Sequence, residues 1–314
     1  MKLEVVRYTA EHRDAWNALI RDAKNGLFLF DRNYIEYHSD RFTDLSAIAF
    51  ADGEPAALLP ASFDERSGLA TSHGGLTFGG VVLPRNVRGE TALGLIDACL
   101  DALRDWGATE LLVRMLPNHL AEYPSAEVDY ALWRRGFALV RRDLSSSIPL
   151  HDRLGLNSSK KQAVAKAEKA GLIVDAGSLA EFHPLLTSVL QARHGVDAIH
   201  SLAELELLAS RFPQQIFLRS ASRNGVMLAG ILIYRYPTAW HTQYMAASEE
   251  GRDIGALDKV IESAIDEAAD DGAAWFSFGI STTDEGRALN EGLLWQKESF
   301  GARSAAHDFM RGRL

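Results

Sequence analysis

The chain has 314 residues, of which 47% are hydrophobic and 24% are charged, the composition of an ordinary globular protein. Its length suits two domains of about 150 residues each. The net charge of −9 argues against a nucleic-acid binder, which usually carries a basic surplus. The single cysteine excludes an intramolecular disulfide, and no Cys/His spacing predicts a zinc site, so we expect no metal.

The apolar residues are distributed as in a protein without a membrane span. The first residues lack the long apolar stretch of a signal peptide, and no later run approaches the ~20 apolar residues of a spanning helix. We therefore expect a cytoplasmic protein. No pattern predicts its oligomeric state.

Hydrophobic periodicity predicts the same order of elements in both halves: a strand, two helices, a three-strand meander, a helix, a strand, a helix and a strand. In the first half the predicted elements are strand 3–8, helices 11–23 and 32–38, and strands 45–51, 54–63 and 75–83. In the second half a helix at 158–170 comes first, followed by strand 172–175, helices 179–193 and 202–211, strands 215–221, 226–235 and 239–246, and helix 253–270.

Two segments of the chain repeat each other. An amphipathic helix ends at Gly107 in the first half and at Gly272 in the second, and a short apolar strand follows each time. Further on, Leu132-Trp133 corresponds to Leu294-Trp295. We interpret this as a duplication. Pro149, Gly155 and Asn157 interrupt the pattern between the halves, which predicts domains at 1–150 and 151–314.

Several motifs, in order along the chain, resemble those of tandem GNAT acyltransferases, in particular FemAB-like and BioF2-like acetyltransferases of surface-polysaccharide gene clusters. They are the basic helix from Lys160-Lys161 to Gly171, the strand end at 276–281, the closing segment 289–302 and the glycine-rich segment 73–80. The resemblance implies an α/β (α+β) fold of two GNAT-like domains, each a mixed, mostly antiparallel sheet flanked by helices. Ser277 departs from the family pattern because an aspartate usually stands there.

The resemblance also implies acetyl-CoA or another acyl-CoA as co-substrate, with its pyrophosphate at a helix N-terminus. The matching turn of the second half supplies the candidate cofactor-binding residues Arg252, Asp253, Ile254, Gly255 and Ala256. Leu257 replaces the expected final small residue, and Glu249 and Glu250 are unfavourable neighbours for phosphate. The first-half turn 84–89, with two arginines, is the alternative.

The candidate catalytic residues are His241, Tyr244, Lys297 and Glu291. A histidine has the pKa range of a general base for amine attack, and the resemblance gives Lys297 a role in stabilising charge at the transferred carbonyl. In a regular strand His241 and Tyr244 would point to opposite faces. The competing interpretation is a satisfied strand histidine and a solvated charge pair at Lys297 and Glu298.

Polar residues elsewhere are candidates for binding the acceptor: His73, Gly74, Gly75, Lys160, Lys161, His194, His200, Ser281 and Asn290. The glycines have a structural alternative as turns or bulges, the two lysines as a solvated helix face, and Asn290 as a helix cap.

From these features we expect acyl-CoA-dependent N-acylation of an amine-bearing small molecule, such as an amino sugar or a phosphorylated nucleotide sugar, in surface-glycan synthesis. One alternative is FemAB-like transfer of an amino acid from a charged tRNA to a cell-wall precursor. The other is a GNAT-like pair that only binds a ligand.

Overall fold

The computed structural model describes residues 2–314, except for the side chain of His194. The chain divides into two compact units. Unit 1 contains the chain up to Asp143 together with Asp284–Arg287 and Ala306–Leu314, and unit 2 contains Leu144–Thr283 and Ala288–Ala305. The units therefore differ from the ranges 1–150 and 151–314, because two segments from the end of the chain pack with the first half.

Unit 1 contains short strands and four helices. In chain order these are β1 (Leu3–Arg7), α1 (Arg13–Arg21), α2 (Arg32–Ile35), β2 (Thr43–Asp44), β3 (Ala47–Ala51), β4 (Glu54–Leu59), β5 (Ser62–Asp64), β6 (Leu69–Thr71), α3 (Gly89–Asp105), β7 (Glu110–Arg114) and α4 (Glu127–Arg134). The strand β8 (Ala138–Pro149) then runs from unit 1 into unit 2. One small sheet has the order β1-β3-β4.

Unit 2 begins with an additional helix before the repeated order of elements. Its elements are α5 (Ser158–Lys169), β9 (Ile173–Ala176), α6 (Leu179–His194), α7 (Leu202–Arg211), β10 (Ile216–Arg223), β11 (Val226–Arg235), β12 (Ala239–Ala247), α8 (Glu249–Asp253), α9 (Ala256–Asp270), β13 (Trp275–Ile280), β14 (Thr282–Thr283), β15 (Ala288–Leu289) and α10 (Glu291–Ser299). The final strand is β16 (Arg303–Arg313).

The sheet of unit 2 has the strand order β8-β13-β12-β11-β10-β9, in which only β12 and β13 pair in parallel. Helix α9 covers one face with an apolar stripe that includes Val260, Ile261 and Ile265, all buried. Each such side chain contributes roughly 1.5–3 kcal/mol when fully buried. Helix α6 packs against β11 and β12, and Phe182 of α6 lies against Gly230.

The last strand of each repeat completes the sheet of the other unit. Strand β8 follows α4 but pairs with β13, and β16 follows α10 but pairs with β7. A duplicated domain that kept its own strands would pair β7 with β8. This exchange explains why residues 306–314 belong to unit 1.

Three predicted elements differ in the structure. The strand predicted at 54–63 is divided into β4 and β5. Residues 75–83 form no strand and make only isolated bridges, because the backbone is left-handed at His73 (φ 56°) and Gly80 (φ 107°). The helix predicted at 253–270 is divided into α8 and α9 by Gly255, whose φ is 77°. The mixed α/β fold of tandem GNAT-like sheets is confirmed.

Candidate active site

The parallel strands β12 and β13 part inside the sheet of unit 2. Their pairing begins at Ala239 and Trp275 and ends at His241 and Ser277. Each strand bulges immediately afterwards, where the register of β12 against β11 and that of β13 against β8 both shift. A bulge bends its strand and ends regular pairing. The two strands therefore separate and leave an opening between residues 242–247 and 278–280.

The bulge in β12 changes which side chains share a face. Leu232 pairs with Tyr244, and Tyr234 pairs with His241, so Gln243 is the additional residue. Directly paired residues of antiparallel strands lie on the same face, and residues two apart in one strand do as well. His241 and Tyr244 consequently share one face. The expectation that they point to opposite faces was wrong, because it assumed a regular strand.

His241 lies at the point where the strands part. Its Nδ1 is 3.0 Å from Oγ of Ser277, and its ring stacks on that of Tyr236 with centroids 5.6 Å apart. Its Cε1 lies against Gly279, where an added Cβ would come within 3.4 Å. His241 is thus fixed on two sides at the start of the opening.

Lys297 is buried beside the same residues. Its side chain is 2% exposed, and its Nζ donates to the carbonyl oxygens of Gly279 at 2.9 Å and Ile280 at 2.5 Å. Burial lowers the pKa of Lys297 to about 7. The interpretation of a solvated charge pair therefore fails for Lys297, whereas its neighbour Glu298 is exposed.

The structure places His241 and Lys297 next to Gly279. A Cβ added to Gly279 would lie 3.4 Å from Cε1 of His241, and the carbonyl of Gly279 accepts from Lys297. A histidine and a lysine that is half protonated near neutral pH therefore lie at one end of the opening, a combination suited to proton transfer and to stabilising negative charge.

The other predicted residues near β13 have different environments. Ser281 is 1% exposed, and among the residues described its hydroxyl has no hydrogen-bond partner. Asn290 caps α10 by accepting from the N–H of Leu293 at 3.0 Å, as its structural alternative predicted. Glu291 lies exposed in the first turn of that helix.

Tyr244 is held by the loop between α6 and α7. Its hydroxyl is 2.7 Å from Nδ1 of His200, and the carbonyl of His200 is 3.0 Å from Nε2 of His183. Burial raises the pKa of Tyr244 to about 12, so its phenol stays protonated at neutral pH. The prediction for His194 lies outside the described side chains.

The predicted phosphate turn lacks free N–H groups at its centre. The N–H of Ile254 donates to Glu250 at 3.1 Å, and that of Gly255 donates to Arg252 at 3.3 Å. Arg252 itself donates through Nη1 to the carbonyl of Ala247. The expectation that residues 253–256 face phosphate was based on an open helix start, but the N–H groups of Ile254 and Gly255 donate to carbonyls of the short helix α8.

Helix α5 covers the same turn. Lys166 Nζ donates to the carbonyl of Asp253 at 2.6 Å, and Lys160 Nζ pairs with Asp258 at 2.5 Å. The backbone of Gly255 lies so close to α5 that an added Cβ would stand 2.4 Å from the carbonyl oxygen of Ala163. Lys160 is thus bound to the turn, while Lys161 is exposed.

We expect Gly255→Ala to destabilise the chain by roughly 2–4 kcal/mol, because the new methyl group meets backbone in a left-handed conformation. Gly272→Ala is the matched control: its φ is 80°, but no atom lies within 4 Å of an added Cβ. This control should cost only about 1–2 kcal/mol. Denaturant unfolding measures both. Equal losses would show that α5 does not constrain the turn.

In unit 1 the segment around His73 is buried. His73 is 2% exposed, and burial, followed by the charge of His38, lowers its pKa to about 3. Gly74 donates its N–H to Oγ of Ser62, and a Cβ on Gly75 would collide with the ring of His38. Gly74 and Gly75 lie in a turn in which the N–H of Leu76 donates to the carbonyl of His73 at 3.1 Å, as their structural alternative predicted. They also allow close packing around the histidine pair.

The first-half turn borders a cavity of about 600 Å³, lined by α1, the β3–β4 hairpin and the start of α3. Its lining includes the carboxylates of Asp22 and Glu54, which disfavour phosphate. Arg85 pairs with Glu122 at 3.0 Å and lies over the ring of Tyr123. Of the two arginines in this turn, Arg85 is therefore engaged, whereas Arg88 is exposed.

Three residues at or beside the opening were not predicted as site residues from the sequence. Tyr236 stacks on His241, Gly279 carries the carbonyl bound by Lys297, and the Thr242 hydroxyl is buried without a partner among the described residues. Only Gly279 had a sequence signal, the glycine of the strand-end motif.

The described chain offers no group of three or more His, Cys, Asp or Glu side chains that could hold a metal ion. Within residues 2–314, every helix is too short or too polar to cross a membrane.

Comparison with known proteins agrees with this architecture. A family model described as an acetyltransferase (GNAT) domain matches residues 158–286. The structure is similar to that of FemX at 13% identity, with a TM-score of 0.72 over 99% of this chain and 97% of that one. No curated protein sequence matches the chain.

Two further solved structures share the fold. One is the C-terminal domain of a putative lysylphosphatidylglycerol synthetase from Agrobacterium fabrum, with 11% identity and a TM-score of 0.61 over 96% of this chain and 92% of that one. The other is a tandem GNAT protein from the clavulanic acid biosynthesis pathway, with 12% identity and a TM-score of 0.51 over 99% and 98%. This chain therefore has the tandem GNAT, FemAB-like fold, and its residues 158–286 match the acetyltransferase (GNAT) domain family.

Proposed function

We propose that unit 2 transfers an acyl group from an activated carrier to an amine at the opening between β12 and β13. The observation that carries the proposal is the buried Lys297, whose ammonium group lies at the end of parted parallel strands. A structural lysine would normally reach solvent or an acidic partner. Lys297 instead binds two carbonyl groups, and no carboxylate pairs with it among the described residues.

In the proposed reaction the amine nitrogen attacks the acyl carbonyl carbon, and negative charge develops on the carbonyl oxygen. The ammonium form of Lys297 stabilises that charge. His241 takes the proton lost by the amine and returns it to the leaving atom when the bond to the carrier breaks. Glu291 and Asn290 would contact the acceptor from the start of α10.

Two molecules are candidates for the carrier of the acyl group, and the first is acyl-CoA. GNAT domains as a class imply this donor, and an amino sugar or nucleotide sugar would be the acceptor, in surface-glycan synthesis in the cytoplasm. The turn 252–256 would have to hold the pyrophosphate, which requires α5 to move away from Gly255.

The second candidate is an aminoacyl ester of tRNA, the donor that the FemAB-like resemblance implies. The coverage of the turn by α5 favours it, because an ester carrier needs no pyrophosphate at that turn.

The test supplies acetyl-CoA or a mixture of aminoacyl-tRNAs to the purified chain, with a panel of amino sugars and amino acids as acceptors. We expect the aminoacyl ester to be lost only when both the chain and an amine are present. Acetyl-CoA should be consumed at least about tenfold more slowly than the aminoacyl ester. The Lys297→Met variant gives the rate of donor loss in the absence of the proposed site. Equal donor loss with wild-type and variant chains would contradict the proposed site, and preferential loss of acetyl-CoA would select the first carrier.

A further inference from the structure

A second group of charged side chains lies in unit 1, on the sheet that contains β7 and β16. Phe309 pairs directly with Arg114, so their side chains share a face. His307, two residues before Phe309, lies on that face as well, and the guanidinium group of Arg141 stands 4.6 Å above the ring of Phe309. Arg114, Arg141 and His307 therefore occupy one patch.

Arg114 lacks a counter-ion in this patch. Its Nη1 donates to the carbonyl of Leu76 at 2.7 Å, but its Nε is buried without a partner. Among residues 2–314, Arg114 forms no ion pair with a carboxylate. Burial, together with the charge of Arg141, lowers the pKa of Arg114. A buried arginine without a carboxylate partner destabilises the folded state unless another group, such as a bound anion, supplies negative charge.

The nearby carboxylates are engaged with other arginines. Asp143, which is 1% exposed, binds Arg141 through contacts of 2.8 and 2.9 Å. Asp308 binds Arg142 in a bidentate pair. Asp143 thus balances the charge of Arg141, and the positive charge of Arg114 is left without a carboxylate partner among the described residues.

His307 adds an unused polar atom. The residue is 5% exposed, its ring lies between Phe78 and Phe309 with centroids 5.0 and 4.9 Å away, and its Nε2 is buried without a partner in the described chain. Burial lowers its pKa to about 4, so the ring is neutral at pH 7 and can donate one N–H without adding charge.

We propose that Arg114, Arg141 and His307 form a binding site for an oxyanion of a small ligand, a carboxylate or a phosphate group. The excess of one positive charge matches one negative charge, and a guanidinium fork with an adjacent ring N–H suits the planar or tetrahedral oxygens of such groups. The site lies wholly within unit 1 and does not depend on the acyl transfer proposed for unit 2.

The experiment measures thermal unfolding and titration calorimetry of the full chain at pH 7 and constant ionic strength, with chloride replaced by acetate or by phosphate. We expect one of the two oxyanions to raise Tm above the chloride value, and the responding salt identifies the ligand group. Arg114→Gln should weaken that binding about tenfold or more, since a charge-assisted hydrogen bond is lost. Arg114→Lys keeps the charge without the fork and should bind with intermediate affinity.

Arg311→Gln is the matched control, because Arg311 lies on the same strand as His307 but pairs with Glu110 at 2.5 Å. It should respond to the salts like the wild type. If Arg114→Gln does not fold, His307→Asn tests the same site and should also lose the response. Identical shifts in acetate, phosphate and chloride, or an unchanged response in both the Arg114 and His307 variants, would overturn the proposal.

Discussion

Replacing Lys297 by Met should lower turnover by about 100- to 1000-fold, the loss seen when one donor to a developing oxyanion is removed. The Nζ of Lys297 binds the carbonyls of Gly279 and Ile280, next to the contact of Gly279 with His241. Because the proposed interaction exists only in the transition state, kcat should fall and KM should change little. Steady-state kinetics with the responding donor measures both.

The same variant should change the pH dependence of stability. The folded-state pKa of Lys297, about 7, lies below its value of 10.5 in the unfolded chain. Folding with Lys297 as a buried ammonium group therefore carries a free-energy penalty. This penalty is complete below pH 7 and disappears above pH 10.5. Lys297→Met lacks this penalty. Its stability relative to the wild type should be greatest below pH 7 and should decline by roughly 5 kcal/mol towards pH 10.5.

A structural role alone would give the same pH dependence of stability, because that dependence follows from the lowered pKa, but a different kinetic result. Turnover would then be lost only to the extent that the chain unfolds. Lys259→Met is the matched control, because Lys259 pairs with Glu168 and Glu262 at the surface. That variant should keep its turnover. Unchanged activity in Lys297→Met would contradict the catalytic assignment.

The order of elements could be predicted because it depends on periodicity and on glycines. Helix α9 and the strands around it carry regular apolar patterns, and the left-handed turns at Gly107 and Gly272 end the repeated helices. Such signals are local, so one sequence is enough to detect them. The duplication was visible for the same reason.

The geometry of the opening depends on contacts between distant residues. The bulge at Gln243 has no signature in its own segment, yet it moves Tyr244 to the face of His241. In the sequence Lys297 resembles one half of a solvated charge pair with Glu298, but the end of β13 buries it. The exchange of β8 and β16 likewise follows from pairing across the chain. Charged residues and strand ends are ambiguous until tertiary packing decides their environment.

His241→Ala is expected to lower turnover by about 100- to 10,000-fold, the usual contribution of a positioned general base. Nδ1 of His241 lies 3.0 Å from Oγ of Ser277. In the tautomer whose Nδ1 donates to this oxygen, the ring carries its lone pair on Nε2, the atom able to accept a proton from the amine. An added Cβ on Gly279 would lie 3.9 Å from Nε2, so this atom faces the strand end that Lys297 binds.

Ser277→Ala tests the role of the hydrogen bond at Nδ1 of His241 without removing the imidazole ring. It removes the acceptor of the Nδ1 proton but leaves the imidazole in place, so turnover should fall by only about tenfold, as expected for one hydrogen bond. A strong added amine base should partly restore turnover in His241→Ala and should not affect Ser277→Ala, because only the former lacks a proton acceptor.

If His241→Ala turned over at the rate of Ser277→Ala, the stacked ring on Tyr236 would be structural. The proton acceptor would then be the neutral form of Lys297, and turnover would rise rather than fall as pH increases through about 7.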